Sequence, residues 1–213
     1  LTHVITKIWG TSQITLNNTT IDFASEWEVV SFRDLILRDC GIDIEAYDTA
    51  EKLLERIEND HIDLASATDP HQLGRGNLID LLYKKVSRPK MVAPTFLIEH
   101  PTDLSPLARA NDDNPQISDR FQLIINGAEI INAYSELVNP QEQRERLLEQ
   151  ARCKANGDEE AMMMDEDYIT AMEYGMPPIS GWGMGIDRVL QVLMDNENIR
   201  DSVLFPLMRP LNE

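Results

Sequence analysis

Asn126-Gly127, set between two runs of β-prone residues, most narrows what this chain can fold into. An Asn-Gly pair supplies the positive φ values that a two-residue type I′ turn demands, and such a turn fixes one antiparallel register for the strands it joins. Ser118 to Ile125 and Ala128 to Leu137 are therefore read as a hairpin. Ile124 then faces Glu129 across it, and alternation assigns every further side chain to one of two faces.

Around that hairpin the chain reads as α+β. Residues 1 to 9 carry apolar side chains at helical spacing and stop at Gly10. Thr11 to Leu16 and Thr20 to Phe23 flank Asn17-Asn18 as a small hairpin. Ser31 caps a helix through Leu37 that closes at Cys40-Gly41. Further helices are expected from about Thr49 to Asn59 and from Gly76 or Asn77 to Val86. Ala93 to Ile98 reads as a strand and Asp103 to Ala108 as a second extended piece, neighbours in this order pairing antiparallel. Asn139 and Pro140 open a helix that ends near Asn156, and Asp165 caps another that runs to Tyr174. Pro177-Pro178 lead into a glycine strand, a helix from Arg188 to about Met194 follows, and Val203 to Phe205 reads as a last buried run. No linker divides the 213 residues, so one domain is expected, mainly helical over 1 to 90 and sheet-based over 91 to 213.

A net charge of -18 argues against a broad surface for nucleic-acid phosphates, so any RNA partner is held elsewhere. No apolar run approaches membrane-spanning length. Cys40 and Cys153 are far apart without metal-ligand spacing, which suits a reducing, cytoplasmic setting. His3, His61 and His71 stand alone, and residues 1 to 90 show no chemistry-bearing pattern.

Two stretches carry chemistry. Gly181, Gly183 and Gly185 alternate just before an apolar-periodic run, which clears one face of a strand so that a ligand or another backbone can approach it. Arg188 follows, a planar cation able to stack on a flat ring and to answer phosphate charge. A helix packed tightly on a glycine-rich strand explains the same pattern. Asn132, Tyr134 and Glu136 leave one face of their strand, where Glu136 can meet an ammonium, Asn132 a carboxylate or amide, and Tyr134 an aliphatic stem. A solvated sheet face would also be polar.

The runs FQLIINGAEIINAYSELVNPQEQRERLLEQ, MDEDYITAMEYGMPPISGWGMGIDRVLQVL and IRDSVLFPLMRP together resemble the C-terminal half of the catalytic domain of class II lysyl-tRNA synthetases, and PTFLIEHPTDLSPLARA resembles that family's preceding strand. The resemblance implies an antiparallel sheet flanked by helices that binds ATP and lysine, forms lysyl-adenylate and passes the lysyl group to the 3′ end of tRNA, with Mg2+ as cofactor and a homodimer in the full-length family. It places Arg188 against adenine, with Gly185 also at the ATP, and Glu129 on the magnesium ions. Asn132, Tyr134 and Glu136 become the lysine pocket, with Glu136 at the side-chain ammonium and Gly183 against the lysine.

This chain departs from that family in three ways. The first two motifs have no counterpart, nor does the anticodon-binding domain; the chain opens at Leu1 on what reads as the end of a helix, so a fragment unable to activate lysine alone is expected. Gln122 stands where the family has a second metal-binding glutamate, and an amide is a poor ligand for so hard a cation. Two other readings stay open: a synthetase-like relative that binds a ligand or partner without ligase activity, and one that attaches a lysine-like group to a protein. Finally, Glu129 lies at odd separation from Asn132, Tyr134 and Glu136, so a regular strand would turn it away from them. One site for all four requires a β-bulge between Glu129 and Asn132, most readily at Ile130-Ile131.

Overall fold

A computed structural model describes residues 1–207 apart from 17, 65–68 and 160. Five strands form the main sheet in the order β3 (Glu28–Ser31), β4 (Thr95–Pro101), β5 (Ile117–Ile125), β6 (Ala128–Ser135) and β7 (Ser180–Met184). The expected hairpin is β5–β6, with Asn126 and Gly127 both at positive φ and Ile124 opposite Glu129. A separate small hairpin pairs β1 (Gln13–Leu16) with β2 (Thr19–Asp22); the Asn17 half of its turn lies outside the described residues.

Alternation along β5 sends its side chains into two different cores. Leu123 and Ile125 join Ile5 of α1 (Thr2–Trp9), the small hairpin, and Val192 and Leu193 of α7 (Ile186–Leu193). Ile124, with Leu97 of β4, joins α2 (Phe32–Cys40), α3 (Ala50–Asn59) and α4 (Arg75–Val86) on the opposite face. A third cluster ties α5 (Pro140–Ala155) to α6 (Glu166–Glu173) through Leu147, Ile169 and Met172. The helix starts follow from their caps: Ser31, Thr49, Asn139 and Asp165 each accept a hydrogen bond from a backbone N–H of the first turn.

Four expectations need correction. The sheet is not wholly antiparallel, because β3 pairs with β4 in parallel; α2, α3 and α4 intervene and give the chain the length that a parallel return needs. Residues 102 to 108 are not a strand, since Thr102–Leu104 turns as a 3-10 helix and only Ala108 bridges, to Glu136. Helix α7 begins at Ile186 with Gly185 as its cap, so Arg188 lies within the first helical turn and not at the strand-to-helix junction. The run at 203 to 205 is not buried, Leu204 and Phe205 each being 92% exposed.

The segment 102–108 matters because it walls the site described below, and Gly76 of α4 sets its height. A Cβ at Gly76 would meet the Asp103 carbonyl carbon at 2.7 Å and lie closer still to its oxygen. Helix propensity alone would make Gly76→Ala stabilising by about 1 kcal/mol. The overlap instead predicts a loss of about 1–3 kcal/mol, read from urea unfolding; a gain in stability would show that the backbone at 103–104 is free to move.

Candidate functional site

Strand β6 carries one residue too many for a regular ladder. Leu123 pairs with Ile131 but Ile124 pairs with Glu129, so Ile130 is extra and the register shifts there. Both Ile130 and Ile131 then contribute to the core on the α1 and α7 side, and Glu129 returns to the face that holds Asn132. The bulge expected from the parity conflict is present. Its effect is concrete: Glu129 Oε2 accepts from Gln122 Nε2 at 2.6 Å, and Gln122 is the cross-strand partner of Asn132.

Arg188 reaches this face from α7. Its Nη1 donates to the Glu129 carbonyl at 3.1 Å and stands 3.9 Å from Glu129 Oε1. Asn132 lies opposite Gly183 and Tyr134 opposite Gly181, so two polar side chains border a strip without side chains. A Cβ at Gly183 would meet nothing within 4 Å, which leaves room for a ligand. At Gly181 it would stand 3.0 Å from Glu136 Oε1, so this glycine makes space for that carboxylate. A Cβ at Gly185 would meet the Arg188 side chain at 3.4 Å.

Burial raises the carboxyl pKa of Glu136, and among the described residues no cation pairs with it. Burial, and next the Glu136 charge, raise the Tyr134 hydroxyl. An incoming ammonium would favour the ionised Glu136 again.

Two residues at this site were missed in the sequence. Arg120 donates through Nε to Asn132 Oδ1 at 3.0 Å and through Nη1 to Ser105 Oγ and the Leu104 carbonyl. His100 is fully buried against Phe32, with Nε2 3.1 Å from Gln122 Oε1. Burial, then the Arg120 charge, push its pKa down to about 3, so the ring is neutral. Arg120 had a signal, since it stands two residues before Gln122 and shares its face. His100 had little, because a bulge at β4 between Ile98 and His100 decides its face.

His100, Gln122 and Glu129 line a cavity of about 230 Å³, Asn132 and Tyr134 a neighbouring one of about 160 Å³, and Arg120 and Leu104 line both; Glu136 and Arg188 lie outside the two linings. A larger cleft of about 450 Å³ lies beyond the ends of β4 and β5, among Arg33, Tyr47, Arg75, Glu99 and Arg146. It contains none of the predicted site residues. Its three arginines are already bonded to carboxylates and carbonyls.

The donor set does not fit a magnesium ion held between positions 122 and 129. A carboxylate can only accept, so the Gln122 nitrogen must face Glu129 and its oxygen turns to His100. Among the described residues no three His, Cys, Asp or Glu side chains gather as metal ligands. Gln122→Glu should reverse both properties. Without metal the adjacent carboxylates repel and lower the melting temperature; titration with Mg2+ in the presence of ATP should show tighter binding than wild type. Equal affinities would remove position 122 from any metal role.

The family model for class II tRNA synthetases (D, K and N) matches residues 1–209. A lysine-tRNA ligase of Thermosipho africanus is 43% identical over 98% of this chain and 40% of its own length. One from Fervidobacterium nodosum is 42% identical over 99% of the chain and 40% of its length. The heat-inducible lysine-tRNA ligase of Escherichia coli is 40% identical over 96% and 40%. The chain thus spans about 40% of the length of the curated relatives it matches.

Proposed function

The chain belongs to the class II tRNA synthetases of the D, K and N group, and from that premise we propose that it is the part of a lysine-tRNA ligase catalytic domain that holds lysine and ATP. The observation that carries this reading is the shared face: the extra residue at Ile130 brings Glu129 and Arg188 alongside Asn132, over the glycines of β7. The whole of 1–213 is read as one domain. Among the described residues no helix is long and apolar enough to cross a membrane, and both cysteines are free; we place the protein in the cytoplasm.

In this reading lysine lies along the strip over Gly181 and Gly183. Its ammonium meets Glu136, whose charged form it favours, while Tyr134 flanks the aliphatic stem and Asn132 meets the carboxylate. Arg188 stacks on the adenine beside Gly185 and adds charge near the phosphates. A lysine carboxylate oxygen then attacks the α-phosphorus in line. The new O–P bond forms as the bond to pyrophosphate breaks, and pyrophosphate leaves with the electron pair. Lysine arrives with its carboxylate ionised, so no general base is needed. The work is positioning and charge neutralisation, and these residues contain no nucleophile-base pair. Transfer of the lysyl group to a tRNA hydroxyl, the tRNA contacts and homodimerisation involve parts of the protein beyond this sheet.

A second reading, a synthetase-like protein that binds its ligand without ligase activity, is favoured by one observation: Gln122 turns a nitrogen toward Glu129. Both readings keep the lysine pocket. Calorimetric titration with L-lysine should show binding that Glu136→Gln weakens about tenfold or more, the scale of a lost charge-assisted contact. Lysine binding that is undetectable, or indifferent to Glu136→Gln, would remove the lysine pocket and the ligase reading with it.

A further inference from the structure

Arg120 lines the candidate pocket beside Asn132, and its hydrogen bonds decide which end of the Asn132 amide a ligand meets. A guanidinium has five N–H donors and no acceptor. Its Nε–H is directed at Asn132 Oδ1 at 3.0 Å, so the Asn132 oxygen is committed to Arg120 and the amide nitrogen faces away from it. Among the described residues Nδ2 has no hydrogen-bond partner, while Asn132, Tyr134, Leu104 and Ser105 all line the smaller cavity. Arg120 cannot swing aside easily. Its Nη1 is bonded to Ser105 Oγ at 3.0 Å and to the Leu104 carbonyl at 3.3 Å, which ties the 102–108 wall to the strand that forms the floor.

An asparagine that is free to rotate offers either a donor or an acceptor, and so discriminates poorly between a carboxylate and an amide. We infer that Arg120 is a positioning residue that locks Asn132 as a pure donor, making this end of the pocket selective for a free carboxylate over its amide. The inference rests on the lysine-pocket reading and deepens it. It gives the site a reason to prefer a free α-amino acid over the same residue inside a peptide, where the carboxylate has become an amide whose carbonyl accepts only a neutral, weaker hydrogen bond. Arg120 does this through its hydrogen bond to Asn132.

The test compares L-lysine with L-lysinamide, which differ only at the group Asn132 would read. Both are titrated against the wild-type chain, Arg120→Lys and Asn132→Asp. Arg120→Lys keeps a buried cation but loses the planar Nε–H that holds the amide; Asn132→Asp keeps the acceptor for Arg120 and removes the donor. The wild type should prefer lysine by about tenfold, as expected of a charge-assisted hydrogen bond over a neutral one. Arg120→Lys should bring the two ligands within about twofold of each other, and Asn132→Asp should reverse the order. A merely structural role for Arg120 would weaken both ligands alike and leave their ratio unchanged, and that result overturns the inference. Equal wild-type affinities for lysine and lysinamide overturn it too, while leaving the lysine pocket standing. Binding of neither ligand overturns the pocket reading and this inference with it. Should Arg120→Lys fail to fold, the sign of the ratio in Asn132→Asp decides, since an acceptor-only side chain that still prefers lysine contradicts the assignment.

Discussion

A β-strand shows its side chains to alternate faces, and that period of two is the constraint on which this site depends. Without an extra residue between Glu129 and Asn132 the two side chains would leave opposite faces of β6, one toward the α1 and α7 core and the other toward the open strip over β7. The bulge at Ile130 resolves this by placing two consecutive isoleucines on one side. The same residue therefore fills a core and turns the face of the site. The Asn126-Gly127 turn fixes where counting begins, with Ile125 opposite Ala128 and Ile124 opposite Glu129 before the shift.

A second rule operates on the finished face: groups that can only donate or only accept dictate the orientation of groups that can do both. Glu129 accepts, so Gln122 must turn its nitrogen to it. The Gln122 oxygen then meets His100, which is buried and uncharged. Arg120 donates, so Asn132 turns its oxygen inward. Two charged side chains thus assign the chemistry of two amides, and the pattern at 122 is what separates this face from one that would hold a metal ion between two carboxylates.

Much of this was legible in the sequence because its determinants are local. Ser31, Thr49, Asn139 and Asp165 act as caps within one turn of themselves, and the Asn-Gly pair determines its own backbone. The bulge was legible only indirectly, from the conflict between an odd separation and a shared site. What stayed hidden was set by distant partners. The four residues of β3 carry too weak a pattern to reveal a parallel return, and residues 102 to 108 look extended until Gly76 and Arg120 hold them against α4 and the sheet. The apolar side chains of Leu204 and Phe205 predicted burial, yet both face solvent. His100 belongs to the site through a contact across 22 positions in the chain, which no local spacing encodes, whereas Arg120 shares the face of Gln122 two residues on.

Cross-strand nuclear Overhauser contacts along the 117–135 hairpin test the central claim most directly, because they report pairing without any substitution. The bulged register predicts contacts between Ile124 and Glu129 and between Leu123 and Ile131, with the Gln122 side-chain amide protons close to the Glu129 side chain. Contacts pairing Leu123 with Ile130 and Gln122 with Ile131 would mean a regular ladder. Glu129 would then face away from Asn132 and Arg188, and the single face on which the whole site is built would not exist.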